Sequence, residues 1–471
     1  MVNKSLAFDT FQEPFIDLIN ENIIQYTMMR KLTVLGFVAG MLNIPAFAQT
    51  KIEFKEFDLD NGLHVIMHQD NTTPIVVTSV LYHVGAKNEQ PDRTGFAHFF
   101  EHLMFEGSEN IERGEYMNII QSHGGTLNAY TSNDITYYYE SLPSNELELA
   151  LYMESERMLH SKVDQTGVET QREVVKEEKR QSYDNRPYGS ILIETLKRAY
   201  SVHPYRWAPI GSLDDLNAAS IEEFQQFYKD FYVPNNATLT IAGDIDYSQT
   251  EAWVKKYFSE IPKGTKAIYR PDIKEPKKTA EIRDIIYDNI QIPAVIQAYN
   301  LPPKTSKDSY ALNMLSTYLT GGNSSLMTKE LVDKQQKALA VSAIPLDLED
   351  GGIFIMYGIT NMGVEPKDLE TEIDKLLKQV QEEGISDNDF EKLQNIMENN
   401  IVSGNASMAG IAENLAEAHV IYDDTNYVNK VMDAYSKVTK ADIQRVAKEY
   451  LTLDGRVVLY YLPKPAEAPQ N

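Results

Sequence analysis

The sequence predicts an α+β fold of two homologous domains, each a mostly antiparallel sheet covered by helices. The chain has 471 residues, which is long for one domain and suits two domains of roughly 200 residues. Segments that alternate like β-strands are interleaved with segments that have helical apolar spacing. One helix–strand pattern also recurs at a constant distance along the chain, as two homologous halves would require.

The first half contains a clear series of predicted elements. Residues 54–70 alternate apolar and polar side chains around Asn61-Gly62, which is a strong hairpin signal. The segments that follow are predicted to be a strand over 74–85, helices over 94–107 and 114–125, a strand–turn–strand over 126–143, and helices over 145–160 and about 164–183.

The internal repeat begins at Ser220 and again at Thr439, an offset of 219 residues. Without gaps, Phe224 of the first copy falls on Ile443 of the second. Each copy is an amphipathic helix that leads into a strand. The repeat predicts that both halves of the chain have the same architecture.

The repeat and the composition between its copies predict the domain limits. Residues 263–279 are polar and contain proline, which is typical of a linker. We therefore expect an N-terminal domain over 49–262, which carries a catalytic metal, and a homologous C-terminal domain without metal over 280–465. Eight of the nine histidines precede residue 204, so a histidine metal site belongs to the first domain.

The composition excludes several classes of function. The formal net charge is -25, so nucleic acid is not an expected partner. There are no cysteines, which excludes disulfides, thiolate metal sites and cysteine nucleophiles. A metal ion would have to be held by histidine and carboxylate side chains.

The first 48 residues predict a secretory signal. Arg30 and Lys31 precede an apolar run from Leu32 to Ile44, and the small–x–small pattern that follows predicts cleavage after Ala48. Because the residues before this signal are mixed and charged, we expect translation to start at Met28 or Met29. No later segment is long and apolar enough for a stable membrane span. The expected location is periplasmic or secreted.

The segment FAHFFEHLMFEG contains the strongest functional pattern in the chain. His98 and His102 are four residues apart, so a helix would place both imidazoles on one face. Catalytic zinc takes three protein ligands and keeps one open position, and it acidifies the water bound there. Glu101 would be the general base for that water. The order His-x-x-Glu-His is a known variant of the zinc-peptidase motif.

The third zinc ligand is not decided by spacing. The segment ETQREVVKEEKRQSYDN contains four glutamates that could reach the metal from a second helix. The candidates are Glu169, Glu173, Glu177 and Glu178.

Several motifs in combination resemble the insulinase/pitrilysin family of zinc peptidases, the inverzincins. The similarity is greatest to its half-size branch, which includes the β subunit of mitochondrial processing peptidase and its bacterial relatives. It covers nearly all of the mature chain. The motifs are DNGLHVI, RTGFAHFFEHLMFEGSE, GGTLNAYTSNDITYYYE, REVVKEE, HPYRWAPIGSLDDL, YVPNNATLTIAGD, LTGGNSSLM and ALAVSA.

The resemblance implies roles for individual residues. It makes Glu178 the third ligand of one zinc ion per chain, with Glu177 as the competing choice. Many relatives have a supporting glutamate seven residues before the ligand, where this chain has Gln171. The resemblance also implies that Asn128 and Ala129 contact the backbone of a peptide substrate bound as an added β-strand.

Other positions depart from the family pattern. Active relatives use an arginine and a tyrosine to hold the substrate. This chain has Phe354 where the arginine is expected, and Asn361 or its neighbours where the tyrosine is expected. Leu326 also stands where many relatives have arginine. We therefore expect a homologous partner subunit that supplies the pair, or a homodimer, with Tyr357 as a possible local substitute. The predicted function is a secreted zinc metalloendopeptidase; the alternative is a non-catalytic or partner-dependent subunit of a peptidase-like heterodimer.

Overall fold

The computed structural model describes residues 51–465. The predicted signal peptide, its cleavage site after Ala48 and the predicted start of translation lie outside these residues. Within the described part of the chain, no helix combines the length and the apolar character needed to cross a membrane.

The described strands of the first half form one sheet. They are β1 (Lys55–Asp58), β2 (His64–Gln69), β3 (Ile75–Tyr82), β4 (Thr126–Thr131), β5 (Thr136–Pro143) and β6 (Ala237–Gly243). Their order is β1-β2-β6-β3-β5-β4, so β4 lies at an edge. The pair β2 and β6 is parallel, and the other neighbours are antiparallel. The predicted hairpin joins β1 to β2, where Gly62 has a φ of 87° that suits glycine.

Helices accompany this sheet. They are α1 (Phe96–Leu103), α2 (Glu115–Ser122), α3 (Leu147–His160), α4 (Gln165–Lys179), α5 (Ile191–Ala199), α6 (Leu213–Ala218), α7 (Ile221–Phe231) and α8 (Tyr247–Phe258). Helix α1 ends at Leu103, before the predicted end at Gly107. Helix α4 ends at Lys179, and the chain continues as a π-helical turn over Arg180–Asp184.

The second half contains a sheet of the same design. Its strands are β7 (Ile282–Asp288), β8 (Ala294–Asn300), β9 (Ala338–Leu346), β10 (Ile353–Thr360) and β11 (Arg456–Pro463), in the order β7-β11-β8-β10-β9. Its helices are α9 (Asp308–Thr320), α10 (Pro366–Glu383), α11 (Asp387–Gly404), α12 (Met408–Tyr422), α13 (Val431–Ser436) and α14 (Lys440–Tyr450). Again one pair, β7 and β11, is parallel, and the rest are antiparallel.

The two sheets are related by the predicted repeat. Helices α7 and α14 each have 11 residues, and each begins at a capping box, on Ser220 and Thr439. Strands β6 and β11, which follow these helices, occupy equivalent places in their sheets. The predicted α+β fold of two homologous halves is confirmed.

The two halves share a hydrophobic core. The largest buried cluster includes Val65 and Leu239 from the first sheet together with Ile296 and Val457 from the second. The segment 263–279 contains no helix or strand. The domain limits at residues 262 and 280 remain a prediction.

Candidate metal centre

Helix α1, which carries both histidines, begins where the backbone needs glycine. Gly95 has a φ of 93°, and a Cβ there would lie 3.0 Å from the carbonyl oxygen of Ile210. The buried carboxylate of Glu89 accepts hydrogen bonds from the amides of Gly95 and Ala97, at 2.8 and 2.9 Å. Burial raises the pKa of Glu89 to about 8, although both amides favour its charged form. These contacts fix the start of α1.

The structure brings His98, His102 and Glu178 together. One ligand atom from each lies within 4.8 Å of the others. Nε2 of His98 is 3.5 Å from Oε1 of Glu178, and Nε2 of His102 is 3.1 Å from Oε2. The histidines come from α1 and the glutamate from α4. The four-residue spacing therefore places both imidazoles on one face of the helix, as predicted.

His98 and Glu178 shift each other's pKa. Burial would lower the pKa of His98, but the charge and hydrogen bond of Glu178 raise it to about 9. Burial would raise the pKa of Glu178, but the two histidines hold it well below its usual range. The cluster therefore favours positive charge between these side chains, and a bound divalent cation would supply it.

The three side chains fit zinc. Two imidazole nitrogens and one carboxylate form a donor set that zinc takes in catalytic sites. The side chains of His98, His102 and Glu178 are only 9%, 3% and 20% exposed, so their donor atoms are already largely withdrawn from water.

Of the four glutamates that spacing left open, Glu178 is the one that faces the imidazoles. The side chain of Glu177 is 51% exposed and lies 3.4 Å from Arg180. Glu169 and Glu173 pair with basic neighbours on their own helix. Glu178 is therefore the glutamate placed beside the two histidines, and its role as a metal ligand remains a prediction.

Glu101 is buried beside the histidines and held by a neighbouring strand. Its exposure is 3%, and its Oε2 accepts a hydrogen bond from the hydroxyl of Thr131 at 2.6 Å. Thr131 is the last residue of β4. The predicted general base is thus oriented by the strand at the edge of the sheet.

Strand β4 also carries the predicted substrate contacts. Asn128 pairs with Tyr139 and Ala129 with Tyr138 of β5, so one side of β4 is used inside the sheet. The other side is a sheet edge, which offers backbone groups to an extended peptide. The strand therefore has the position that the predicted binding mode requires.

Gln171 lies on α4 but contacts a different carboxylate. Its side-chain amide donates to Oε1 of Glu106 at 2.5 Å. Glu106 also accepts a hydrogen bond from Arg113, which in turn pairs with Asp164 at the start of α4. Gln171 therefore ties α4 to the turn after α1, and within residues 51–465 it makes no hydrogen bond to the candidate ligand Glu178.

The positions that depart from the family pattern are structural. Phe354 is fully buried in the core of the second half, where Leu326 also packs. Asn361 donates to the carbonyl of Gln336 at 2.8 Å. Tyr357 is 3% exposed, and burial raises its pKa. Its burial gives no support to a role in holding substrate.

Sequence reasoning missed Thr131 and Glu89. Thr131 could have been found, because it lies two residues after Ala129 on a predicted strand and so shares its face. Glu89 had no such signal, since its contact with the start of α1 depends on the fold of an irregular segment.

Two family models match consecutive parts of the chain. Residues 64–205 match the model of the insulinase family, peptidase family M16. Residues 218–397 match the model described as the peptidase M16 inactive domain. The first match contains the histidines and Glu178. The second begins in the last helices of the first half, continues into the second half and does not contain this cluster.

Relatives match over most of the chain. The zinc protease PqqE of Helicobacter pylori is 31% identical over 90% of this chain and 96% of its own length. The probable β subunit of the mitochondrial-processing peptidase of Arabidopsis thaliana is 22% identical, over 83% of this chain and 75% of that protein.

Solved structures have the same fold. The crystal structure of a protease from Helicobacter pylori matches with a TM-score of 0.84 and 29% identity, over 87% of this chain and 100% of that chain. The periplasmic protease PqqL of Escherichia coli matches with a TM-score of 0.70 and 18% identity. That match covers 87% of this chain and 47% of PqqL, which has about twice the length.

Proposed function

The chain belongs to the insulinase family, peptidase family M16, as one of its half-size members, and on that premise we propose that it is a secreted zinc endopeptidase acting on peptides or unfolded polypeptides. The observation that carries the proposal is the convergence of His98, His102 and Glu178, with Glu101 held beside them. A buried site with these ligands and a neighbouring carboxylate can bind zinc and remove a proton from the attacking water.

In the proposed reaction His98, His102 and Glu178 would hold one zinc ion, which would supply Lewis-acid chemistry to water and to the peptide carbonyl. Glu101 takes a proton from the attacking water, at the carboxylate oxygen that Thr131 does not bond. It then delivers that proton to the nitrogen of the leaving amine, so the group returns to its charged form.

Substrate binding is proposed at the edge of the first sheet. An extended peptide would add to β4 beside Asn128 and Ala129 through main-chain hydrogen bonds. Because backbone pairing depends little on side chains, the enzyme would accept varied sequences. Thr131 joins this strand to Glu101, so the bound peptide would lie next to the general base.

A partner is proposed because the chain lacks the arginine and tyrosine expected to hold substrate. Phe354 and Asn361 occupy those positions and serve packing and a local turn. A homologous subunit, or a second copy of this chain, would complete the site. We place the mature protein in the periplasm or outside the cell, after removal of residues 1–48.

Replacing Glu101 with glutamine tests the reaction. The variant keeps the size of the side chain but loses the base, so kcat/KM for an unfolded polypeptide should fall at least about 100-fold. Zinc content, measured by mass spectrometry of the metal, should stay at one ion per chain. Glu115→Gln, at an exposed carboxylate on α2, is the matched control. Undiminished cleavage by Glu101→Gln would remove this residue from the mechanism.

A non-catalytic or partner-dependent subunit is the second candidate, favoured by the buried Phe354. The two functions are separated by assaying the mature protein with and without whatever co-purifies. Cleavage by the chain alone supports the enzyme, and cleavage only with the partner supports the dependent subunit. Bound zinc with no cleavage in either case supports a non-catalytic role.

A further inference from the structure

A cavity of about 410 Å³ lies in the second half of the molecule. Its walls come from helices α9, α11, α12 and α13 and from the segments after β8 and β9. None of its lining residues belongs to the candidate metal centre. The proposed hydrolysis therefore does not involve this cavity.

Four tyrosines line the cavity in two pairs. The rings of Tyr310 and Tyr435 meet edge to face, with centroids 4.9 Å apart. The rings of Tyr422 and Tyr427 are stacked, with centroids 3.8 Å apart. Aromatic faces carry a partial negative charge, so such walls attract cations.

The charged groups of the cavity leave an excess of negative charge. Lys304 forms an ion pair with Glu417. Asp347 has no such partner: its Oδ2 accepts a hydrogen bond from Asn313 at 2.7 Å, and its buried Oδ1 has no hydrogen-bond partner within residues 51–465. Buried carboxylate oxygens are normally paired, so this one indicates a missing donor.

A second buried group in the cavity lacks a partner. The hydroxyl of Tyr310 makes no hydrogen bond to any other described residue. A hydroxyl can accept as well as donate, so like Asp347 it can accept a hydrogen bond from a donor in the cavity. An ammonium group has three N–H donors and a positive charge, so it suits both kinds of acceptor.

We propose that this cavity binds a small organic cation of the alkylammonium class, with its ammonium group at Asp347 and its alkyl chain between the tyrosine rings. An anion does not fit, because Lys304, the one cationic side chain among the described residues that line the cavity, is already paired with Glu417. A neutral polyol could bond Asp347 and Tyr310 but would leave the negative charge of the carboxylate uncompensated.

Calorimetric titration of the purified protein with 1,4-diaminobutane tests the proposal. Saturable binding is expected, and Asp347→Asn should weaken it at least about tenfold, since the hydrogen-bond acceptor loses its negative charge. Asp333→Asn, at an exposed carboxylate in the same half, changes the net charge equally and should bind like the wild type. The neutral isostere 1,4-butanediol should not bind measurably.

The aromatic wall is tested by a second pair of variants. Tyr435→Phe keeps the ring and should bind like the wild type, whereas Tyr435→Leu should lose roughly fivefold in affinity. Unchanged melting temperatures show that the variants are folded. No saturable binding by the wild type, equal binding of the diol, or full binding by Asp347→Asn would each overturn the proposal.

Discussion

At the scale of single residues, the candidate metal centre depends on which side of α4 each glutamate occupies. Consecutive residues on a helix point about 100° apart. Glu178 turns toward α1 and is 20% exposed, while Glu177 turns to solvent and is 51% exposed. Two adjacent and chemically identical side chains therefore have different environments.

This difference predicts opposite effects of two matched substitutions. Glu178→Gln replaces the charged ligand with a neutral amide and should reduce bound zinc well below one ion per chain. Glu177→Gln, with the same chemical change one position earlier, should keep the zinc of the wild type. Metal analysis after dialysis measures both. Loss of zinc in Glu177→Gln but not in Glu178→Gln would show that Glu177 is the ligand.

Thr131 provides a second prediction at this scale, because its hydroxyl orients Glu101. Thr131→Val keeps the shape of the side chain but removes the donor, and kcat should fall roughly 10- to 100-fold. The measurement is steady-state cleavage of an unfolded polypeptide. Thr131→Ser retains the hydroxyl and should keep most of the activity. If valine and serine behave alike, the hydrogen bond has no part in catalysis.

At the scale of elements, helix α12 of the second half covers the first sheet. Ala412 packs against Val77 and Ala242, and Ala416 packs against Leu81 and Tyr137. The small alanine side chains let the helix lie close to the strands. A polar contact lies beside these alanines: Glu413 of α12 accepts a hydrogen bond from Tyr130 of β4 at 2.7 Å. The second half therefore contacts and supports β4, the strand proposed to bind substrate.

Near the other end of α12, His419 stacks on His64 of β2, with ring centroids 3.6 Å apart. Burial lowers the pKa of His419, and the neighbouring His64 lowers it further. The nearby carboxylates of Glu56, Asp423 and Asp58 oppose this shift. The folded protein therefore favours neutral His419.

This arrangement predicts a stability that depends on pH. Because the folded pKa of His419 lies below its unfolded value of about 6.5, the unfolded chain binds this proton first as the pH falls. The free energy of unfolding should therefore decrease below about pH 6.5, with a slope of at most ~1.4 kcal/mol per pH unit from this group. Urea unfolding between pH 7.5 and 5 measures it.

His419→Gln should lose less stability over that range than the wild type, since glutamine does not titrate. His123→Gln, at an exposed histidine, is the control and should follow the wild type. An unchanged slope in His419→Gln would show that the stacked pair does not control acid stability.

At the scale of the whole molecule, a charge cluster around a buried lysine joins the two halves. The side chain of Lys87 is 2% exposed and lies 3.0 Å from Asp134, 2.5 Å from Glu349 and 3.1 Å from Asp350. The last two carboxylates come from the second half. Burial would raise the pKa of Glu349, but its contacts with His83 and Lys87 lower it to about 2. Lys87 is also close in sequence to the segment that fixes the start of α1.

The cluster predicts that Lys87→Met destabilises the protein strongly. Methionine has a similar length but removes the cation that lies within 3.1 Å of all three carboxylates, which should cost up to about 3–5 kcal/mol. Lys334→Met breaks the exposed pair with Glu330 and should cost at most about 1 kcal/mol. Urea denaturation of both variants measures the difference. Equal stability of the two variants would show that the cluster does not hold the halves together.

The features that could be read from the chain alone are those set by near neighbours. The turn at Gly62 and the capping boxes at Ser220 and Thr439 depend on contacts within a few residues. The shared face of His98 and His102 follows from helix geometry. The repeat predicted the second sheet because the same local helix–strand pattern occurs twice in the sequence.

Other features needed the folded chain, because they join residues far apart in sequence. The choice of Glu178 over Glu177 depends on how α4 packs against α1. The support of α1 by Glu89, the place of α12 on the first sheet and the cavity around Asp347 depend on how irregular segments and halves dock. Local sequence patterns predict helices and strands. Which buried residues contact each other is determined by how those helices and strands pack.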